Sequence, residues 1–202
     1  MMLRDSDIRD NLCLYLEEKY GEVRFFEELS MGRSRADIVM VTRDAIYGVE
    51  IKSDANTYAR LKRQVRDYNK YFDYNILVVG STHATHAIEH VPKHWGIISV
   101  EQIKDKMDCY KIRDPKESPK AALKNQLSLL WRRELAQIQQ MNQLHKYAGK
   151  SRAFVEEYVL NSVPPELLKK QVIARKLRNG SNSVHKFFKK GLQNINRHPS
   201  HI

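Results

Sequence analysis

Two apolar runs, Arg35-Ala36-Asp37-Ile38-Val39 and Gly48-Val49-Glu50-Ile51-Lys52, flank the polar tetrad Thr42-Arg43-Asp44-Ala45. Runs rich in Val, Ile and Tyr on either side of a charged turn read as a β-hairpin. A hairpin centred between Arg43 and Asp44 sets Asp37 opposite Glu50 and Arg35 opposite Lys52. Opposed residues share a face, with Cβ atoms roughly 4.5–5.5 Å apart. Two carboxylates that close repel each other unless a cation lies between them. An all-oxygen pair suits Mg²⁺, which keeps several waters and binds through one or two carboxylates. Lys52 shares the face and can reach a phosphate or a water on that cation. The pattern points to metal-dependent cleavage of phosphodiester bonds. The plainer reading is a half-buried hairpin with a solvated charged face. A slip of one residue would separate Asp37 and Glu50 onto opposite faces. Arg-Asp is not a favoured two-residue turn, but a four-residue loop with the same centre keeps the pairing.

The surrounding pattern alternates helix and strand. Asp5-Ser6-Asp7 can cap a helix to about Tyr20 with Ile8, Leu12, Tyr15 and Leu16 on its apolar stripe, and Gly21 ends it. Glu22–Leu29 reads as a first strand, Met31–Ser34 as a turn, and the two motif strands follow. Ser53–Phe72 reads as a helix with Tyr58, Leu61, Val65, Tyr68 and Phe72 at helical spacing. Ile76–Val79 and Trp95–Val100 are continuous apolar runs, as expected of buried strands. The expected class is α/β (α+β), with the order αβββαβ and a further strand.

Asp114-Pro115 through Ser118-Pro119 is the best boundary, because prolines flank a polar stretch and the charge balance changes there. Residues 1–114 hold 18 Lys/Arg against 19 Asp/Glu, whereas 115–202 hold 17 against 5. The expected organisation is a core of 1–114 and a basic all-helical domain of 115–202. Leu123 to Met141 reads as one long amphipathic helix, Ser151 caps the next, and Pro164-Pro165 opens a third that Gly180 closes. His185–Lys190 is basic, and the last residues are expected to fray. Such a domain suits a polyanion, with Lys169, Lys170, Arg175, Lys176 and Arg178 as candidate phosphate contacts. A solvated basic bundle is the alternative.

Other features exclude more than they propose. No apolar run approaches the ~20 residues of a membrane span, and the start has no apolar signal segment. Cys13 and Cys109 fit separate reduced thiols, so a soluble cytoplasmic protein is expected. No glycine-rich phosphate loop supports nucleotide hydrolysis. His83, His86, His90 and His94 have metal-binding spacing, but Pro92 interrupts the helix such a site needs, and surface histidines are the better reading. Glu28, ending the first strand, is a candidate extension of the acidic pair. Glu17 and Glu18 are candidates for a helix-borne carboxylate.

With Asp37 on the second strand and Glu50-x-Lys52 on the third, the chain resembles the PD-(D/E)XK nuclease superfamily. Ala36 stands where that motif usually has proline. Asp54, Arg60-Leu61, Gln64, Tyr68-Asn69-Lys70 and Trp95-Gly96-Ile97-Ile98 are similar to a bacterial, phage and mobile-element family within it, one of unassigned biological role. The resemblance spans about residues 5–180 and implies a restriction-endonuclease-like αβββαβ core with a mixed sheet. It implies that Asp37, Glu50 and the Ile51 backbone carbonyl hold Mg²⁺ (or Mn²⁺) while Lys52 assists. Gln64 and Tyr68, one helical turn apart and so on one face, match a pair near the active site of RecB-like exonucleases. Tyr68 as ordinary core is the competing reading. Arg35, Arg60, Lys62 and Arg63 are candidate phosphate contacts. The expected activity is a metal-dependent (endo)nuclease acting on nucleic acid, DNA over RNA, with no small-molecule cofactor. The alternative is a weak or inactive nucleic-acid- or partner-binding module of a phage, defence or mobile-element system.

Overall fold

The computed structural model describes residues 5–53, 57–103 and 106–180. Asp54 and the basic stretch His185–Lys190 lie outside the described residues. The chain runs α1 (Asp5–Tyr20), β1 (Arg24–Met31), β2 (Ser34–Val41), β3 (Ile46–Lys52), a 3₁₀ turn (Tyr58–Arg60), α2 (Leu61–Tyr71) and β4 (Tyr74–Gly80). It continues through α3 (Ser81–Ala84), α4 (Ala87–His90), β5 (Gly96–Ile103) and β6 (Lys106–Arg113). Four helices follow: α5 (Leu123–Leu127), α6 (Arg132–Met141), α7 (Arg152–Ser162) and α8 (Pro165–Asn179).

Six strands form one mixed sheet in the order β1-β2-β3-β4-β5-β6. β1, β2 and β3 are antiparallel, β3, β4 and β5 parallel, and β6 is antiparallel to β5. This is a mixed α+β architecture. In the central hairpin Ile38 pairs with Val49 and Val41 with Ile46, the register read from the turn. Thr42 closes that turn by donating its N–H to the Ala45 carbonyl (3.0 Å) and accepting the Ala45 N–H on its hydroxyl (3.1 Å). The β1–β2 turn is tighter: Met31 pairs with Ser34, and Gly32 takes φ +58°, a left-handed conformation glycine adopts without penalty.

Each sheet face has its own apolar layer. Ile8, Leu12 and Leu16 of α1 pack on Phe25, Ile38, Met40, Val49 and Ile51. On the other face, Leu61, Tyr68 and Phe72 of α2 share one cluster with Val39, Leu77 and Ile97, and equally with Leu130, Leu135, Ile138, Val159, Leu168 and Val172 of the later helices. The charge balance changes at residue 114, but the apolar packing is continuous across it. Gly48 lets α2 approach: a Cβ there would lie 2.1 Å from Phe72 Cδ2 and 2.6 Å from Tyr68 Cδ1.

The structure departs from the sequence pattern in three places. In place of the helix expected from Ser53, Ser53 and Thr57 are not helical and a 3₁₀ turn opens at Tyr58. The long helix expected over 123–141 is broken between α5 and α6, because Glu134 Oε2 accepts the Trp131 N–H (2.5 Å) and starts a new helix there. The carbonyls freed at Ser128 and Leu130 accept from Arg152 (2.5 and 2.6 Å). β6 has no counterpart in the apolar pattern, because Tyr110 and Ile112 on this edge strand are exposed. Among the described residues no helix is long and apolar enough to cross a membrane.

Gly48→Ala should lower stability by roughly 1–3 kcal/mol, the usual cost of overpacking a filled core. Gly149→Ala, where a Cβ would meet nothing within 4 Å, should stay within about 0.5 kcal/mol of wild type. Urea unfolding of both variants measures the difference.

Candidate active site

β3 is covered on both faces, yet it carries Glu50 (1% exposed) and Lys52 (8% exposed). Burying charge is costly unless it is paired and hydrogen-bonded, and here both are. Glu50 Oε1 accepts from Lys52 Nζ (2.5 Å) and Gln64 Nε2 (2.5 Å), while Glu50 Oε2 accepts from the Tyr68 hydroxyl (2.6 Å). Lys52 also donates to Gln64 Oε1 (3.3 Å). Gln64 and Tyr68 reach Glu50 from successive turns of α2. Tyr68 is therefore both core and site: its ring is fully buried while its oxygen meets Glu50 and accepts the Asp37 N–H (3.3 Å).

Asp37 comes from β2. Its Oδ2 accepts the Ile51 N–H (2.8 Å), and its Oδ1 lies 3.8 Å from the Arg9 guanidinium. Burial and then the nearby Glu50 charge push its carboxyl up to about 7, against the opposing effects of the Ile51 N–H, Lys52 and Arg9. In a strand, one residue's N–H and C=O face the same neighbour, so the Ile51 carbonyl also faces the Asp37 strand. Two carboxylates, one whose proton is favoured by burial and by its neighbour's charge until a cation displaces it, together with a carbonyl make an all-oxygen donor set fitted to a hard divalent cation. Among the described residues no group of three or more His, Cys, Asp or Glu gathers in metal-ligating geometry, so water would complete the shell.

Asp37, Glu50, Ile51, Lys52 and Gln64 line an open cleft of about 890 Å³ together with Arg33, Arg35, Arg60 and Arg63. Arg60 and Arg63 lie one helical turn apart at the start of α2. Arg33, at the tip of the β1–β2 turn, escaped the sequence reading, and the Gly32-Arg33 turn was its one signal. Glu28 stands opposite Asp37 in the β1–β2 register, but with φ +53°. Its carboxylate is taken by Arg9 and by Arg35 Nε (2.5 Å), so it neutralises guanidinium and does not extend the acidic pair.

The basic residues proposed on α8 do not reach the cleft. Lys176 is a correction: it is 2% exposed, 3.5 Å from Glu134, and lies over the Phe26 and Trp131 rings. Burial lowers its pKa, and it is a structural ion pair. Lys169 pairs with Asp73 (3.0 Å) and Arg175 bonds Gln137 (3.0 Å), leaving Lys170 and Arg178 exposed. Lys62 is exposed on α2 outside the cleft lining. The histidines disperse: His83 and His90 pack on Tyr58, His86 meets Glu89, and His94 meets Asn69.

The family model described as bacteriophage P4 protein cII matches residues 3–202, nearly the whole chain. The chain belongs to the bacteriophage P4 protein cII family. This P4 cII family protein has no match among curated proteins. Among solved structures it is similar to one titled "The structure of Pyrococcus Furiosus SfsA in complex with Ca2+". The two share 12% sequence identity with a TM-score of 0.35, covering 55% of this chain and 62% of that one, less than two thirds of its length. A likeness that slight carries no argument about fold or chemistry.

In the metal-free protein, Asp37 binds its proton more tightly when folded (about 7) than at the ordinary 3.8 of the unfolded chain. Between those values the folded state holds a proton that the unfolded state has lost, so stability falls as pH rises and levels off above about 7. The change should be on the order of a few kcal/mol, at roughly 1.4 per pH unit. Urea unfolding in EDTA from pH 4.5 to 8 should show this decline, and Asp37→Asn should flatten it.

Proposed function

We propose that this protein is a Mg²⁺- or Mn²⁺-dependent nuclease that hydrolyses phosphodiester bonds in nucleic acid, DNA in preference to RNA. The observation that carries the reading is the convergence of Asp37, Glu50 and Lys52 on one arginine-walled cleft. The αβββαβ order with a mixed sheet supports a restriction-endonuclease-like core, and the preference for DNA follows from the same resemblance.

Asp37, Glu50 and the Ile51 carbonyl would hold the cation. When bound, it would lower the pKa of water and offset charge on the phosphate under attack. Gln64 and Tyr68 keep the Glu50 carboxylate in one orientation. Lys52 has three N–H donors and spends two on Glu50 and Gln64. The third is available to a phosphate oxygen or to the attacking water. Arg33, Arg60 and Arg63 would hold flanking phosphates, which gives affinity without sequence information. A second reading, a binding module that does not cut, draws on one observation: three donors already satisfy Glu50 without a cation.

Labelled single-stranded and duplex DNA and RNA, incubated with Mg²⁺, Mn²⁺ or EDTA, test the proposal. Cleavage should require the metal and fall at least about 100-fold in Asp37→Ala and Lys52→Ala, in line with loss of one electrostatic group. Glu50→Gln is preferred to Glu50→Ala, which would leave Lys52 buried and unpaired. Lys52→Arg should not rescue, because the planar guanidinium cannot occupy the ammonium's position. Activity surviving in EDTA or in every variant would sink the assignment. Metal-independent binding without cleavage of any substrate would favour the second reading.

A further inference from the structure

Among the described residues the cleft is lined by no aromatic side chain, so these residues can grip phosphates but offer a base nothing to stack on. Rings and ammonium groups gather elsewhere, at the corner joining α6 to α7. From Met141 to Val155 the sequence has no Asp or Glu but includes His145, Lys146, Lys150 and Arg152. Tyr147 is the hub of this corner. Its ring centre lies 4.6 Å from His145, 5.0 Å from Phe154 and 5.0 Å from Tyr158, each pair edge to face. In an edge-to-face pair only one ring gives up a face, so part of the aromatic surface is left for another partner.

That surface is presented outward. Phe154 is 40% exposed, and His145, Lys146 and Lys150 are exposed with it. Lys150 Nζ lies over the Phe154 ring, 5.5 Å from its centre, on a flexible stem that a stacking base can displace toward its own phosphate. Arg152 is occupied, tying down Ser128, Leu130 and Glu156. Arg132 donates to the Tyr147 and Lys150 carbonyls (3.2 and 2.9 Å), which holds the corner in shape. The one exposed acid nearby on α7 is Glu157. A fixed aromatic hub with an exposed ring, on a segment that also carries the exposed Lys146 and Lys150, is the chemistry that binds single-stranded nucleic acid: bases stack on rings while cations follow the backbone. A duplex keeps its base faces covered and cannot use the rings.

We propose that the His145–Phe154 corner is a stacking platform for single-stranded nucleic acid, separate from the cleft. A base lies on Phe154, supported by Tyr147, and its phosphates meet Lys146 and Lys150. The site needs no metal, so it stands whether or not the cleft cuts.

Fluorescence anisotropy of the full chain in EDTA, with a labelled oligo-dT 20-mer and a labelled 20-base-pair duplex, tests it. Phe154→Leu keeps apolar bulk but removes the π face, and should weaken oligo-dT binding at least about fivefold, the loss of one stacked base. Duplex affinity should not change. Phe154→Tyr should retain wild-type oligo-dT binding. Lys146→Ala with Lys150→Ala should weaken oligo-dT binding and reduce its salt dependence. A folded Phe154→Leu protein with unchanged oligo-dT affinity would overturn the platform. So would a poly-glutamate peptide competing as well as the oligonucleotide, which would mark a plain charge patch. Photocrosslinking of wild type to iodouracil-substituted oligo-dT gives a check independent of variant folding. The adduct should fall on the peptide containing Tyr147 or Phe154, and adducts confined to other segments would refute the assignment.

Discussion

A carboxylate buried in the middle of a sheet organises this molecule. Glu50 sits on β3, flanked by strands on both sides and covered on both faces. It tolerates that position only because Lys52, Gln64 and Tyr68 surround it with donors. Two of those donors belong to α2, so α2 must lie close and in one register. Gly48 provides the space, since any side chain there would collide with Phe72 and Tyr68. α2 is in turn enclosed by α5 to α8, whose leucines and valines share its cluster. The residues after 115 therefore act on the site through packing. Removing them would expose the apolar side of the helix that holds Glu50 in place.

This arrangement divides the positive charge by task. A sequence count assigns the whole excess to residues 115–202, which suggests one basic surface. The structure spends part of that charge inside. Lys176 compensates Glu134 beneath Phe26 and Trp131, Lys169 compensates Asp73, and Arg152 caps carbonyls left free where α5 and α6 separate. The charge that faces the carboxylates comes instead from Arg33, Arg60 and Arg63, in the half whose net charge is near zero. Net charge over a segment measures solubility and long-range attraction. It does not say which side chains stand at a site.

The sequence was most legible where the turn was specific. The β2–β3 register follows from the centre of the Thr42–Ala45 turn, because β2 is apolar on both faces, with Val39 and Val41 in one layer and Ile38 and Met40 in the other. Ser151 was readable as a cap because its hydroxyl does accept the Phe154 N–H. Helical spacing set Gln64 and Tyr68 on one face, and their place near the site came from the family resemblance. Three features were hidden. β6 is an edge strand whose outer side chains stay wet, so it lacks the apolar signature of a central strand. The break before α6 depends on Glu134 reaching back to Trp131, and the heptad-like leucines run through it undisturbed. Arg33 owes its position to a two-residue turn, and only the fold shows that this turn overhangs the cleft.

Glu28 shows how a correct register can still mislead about chemistry. It stands opposite Asp37, where a third carboxylate would be expected to join a metal site. Its backbone, however, is in the left-handed region, which costs a non-glycine residue roughly 1–3 kcal/mol and persists only when the surroundings enforce it. Here they do: Arg9 from α1 and Arg35 from β2 both close on the Glu28 carboxylate. The same Arg9 lies 3.8 Å from Asp37, so it opposes the effect of burial and of Glu50 on that carboxyl. Without Glu28, Arg9 would be shared between Glu27 and Asp37 and would compete with a divalent cation for the latter. By holding Arg9 back, the strained glutamate leaves Asp37 only partly compensated, and a carboxylate in that condition is the one that gains most from a metal ion.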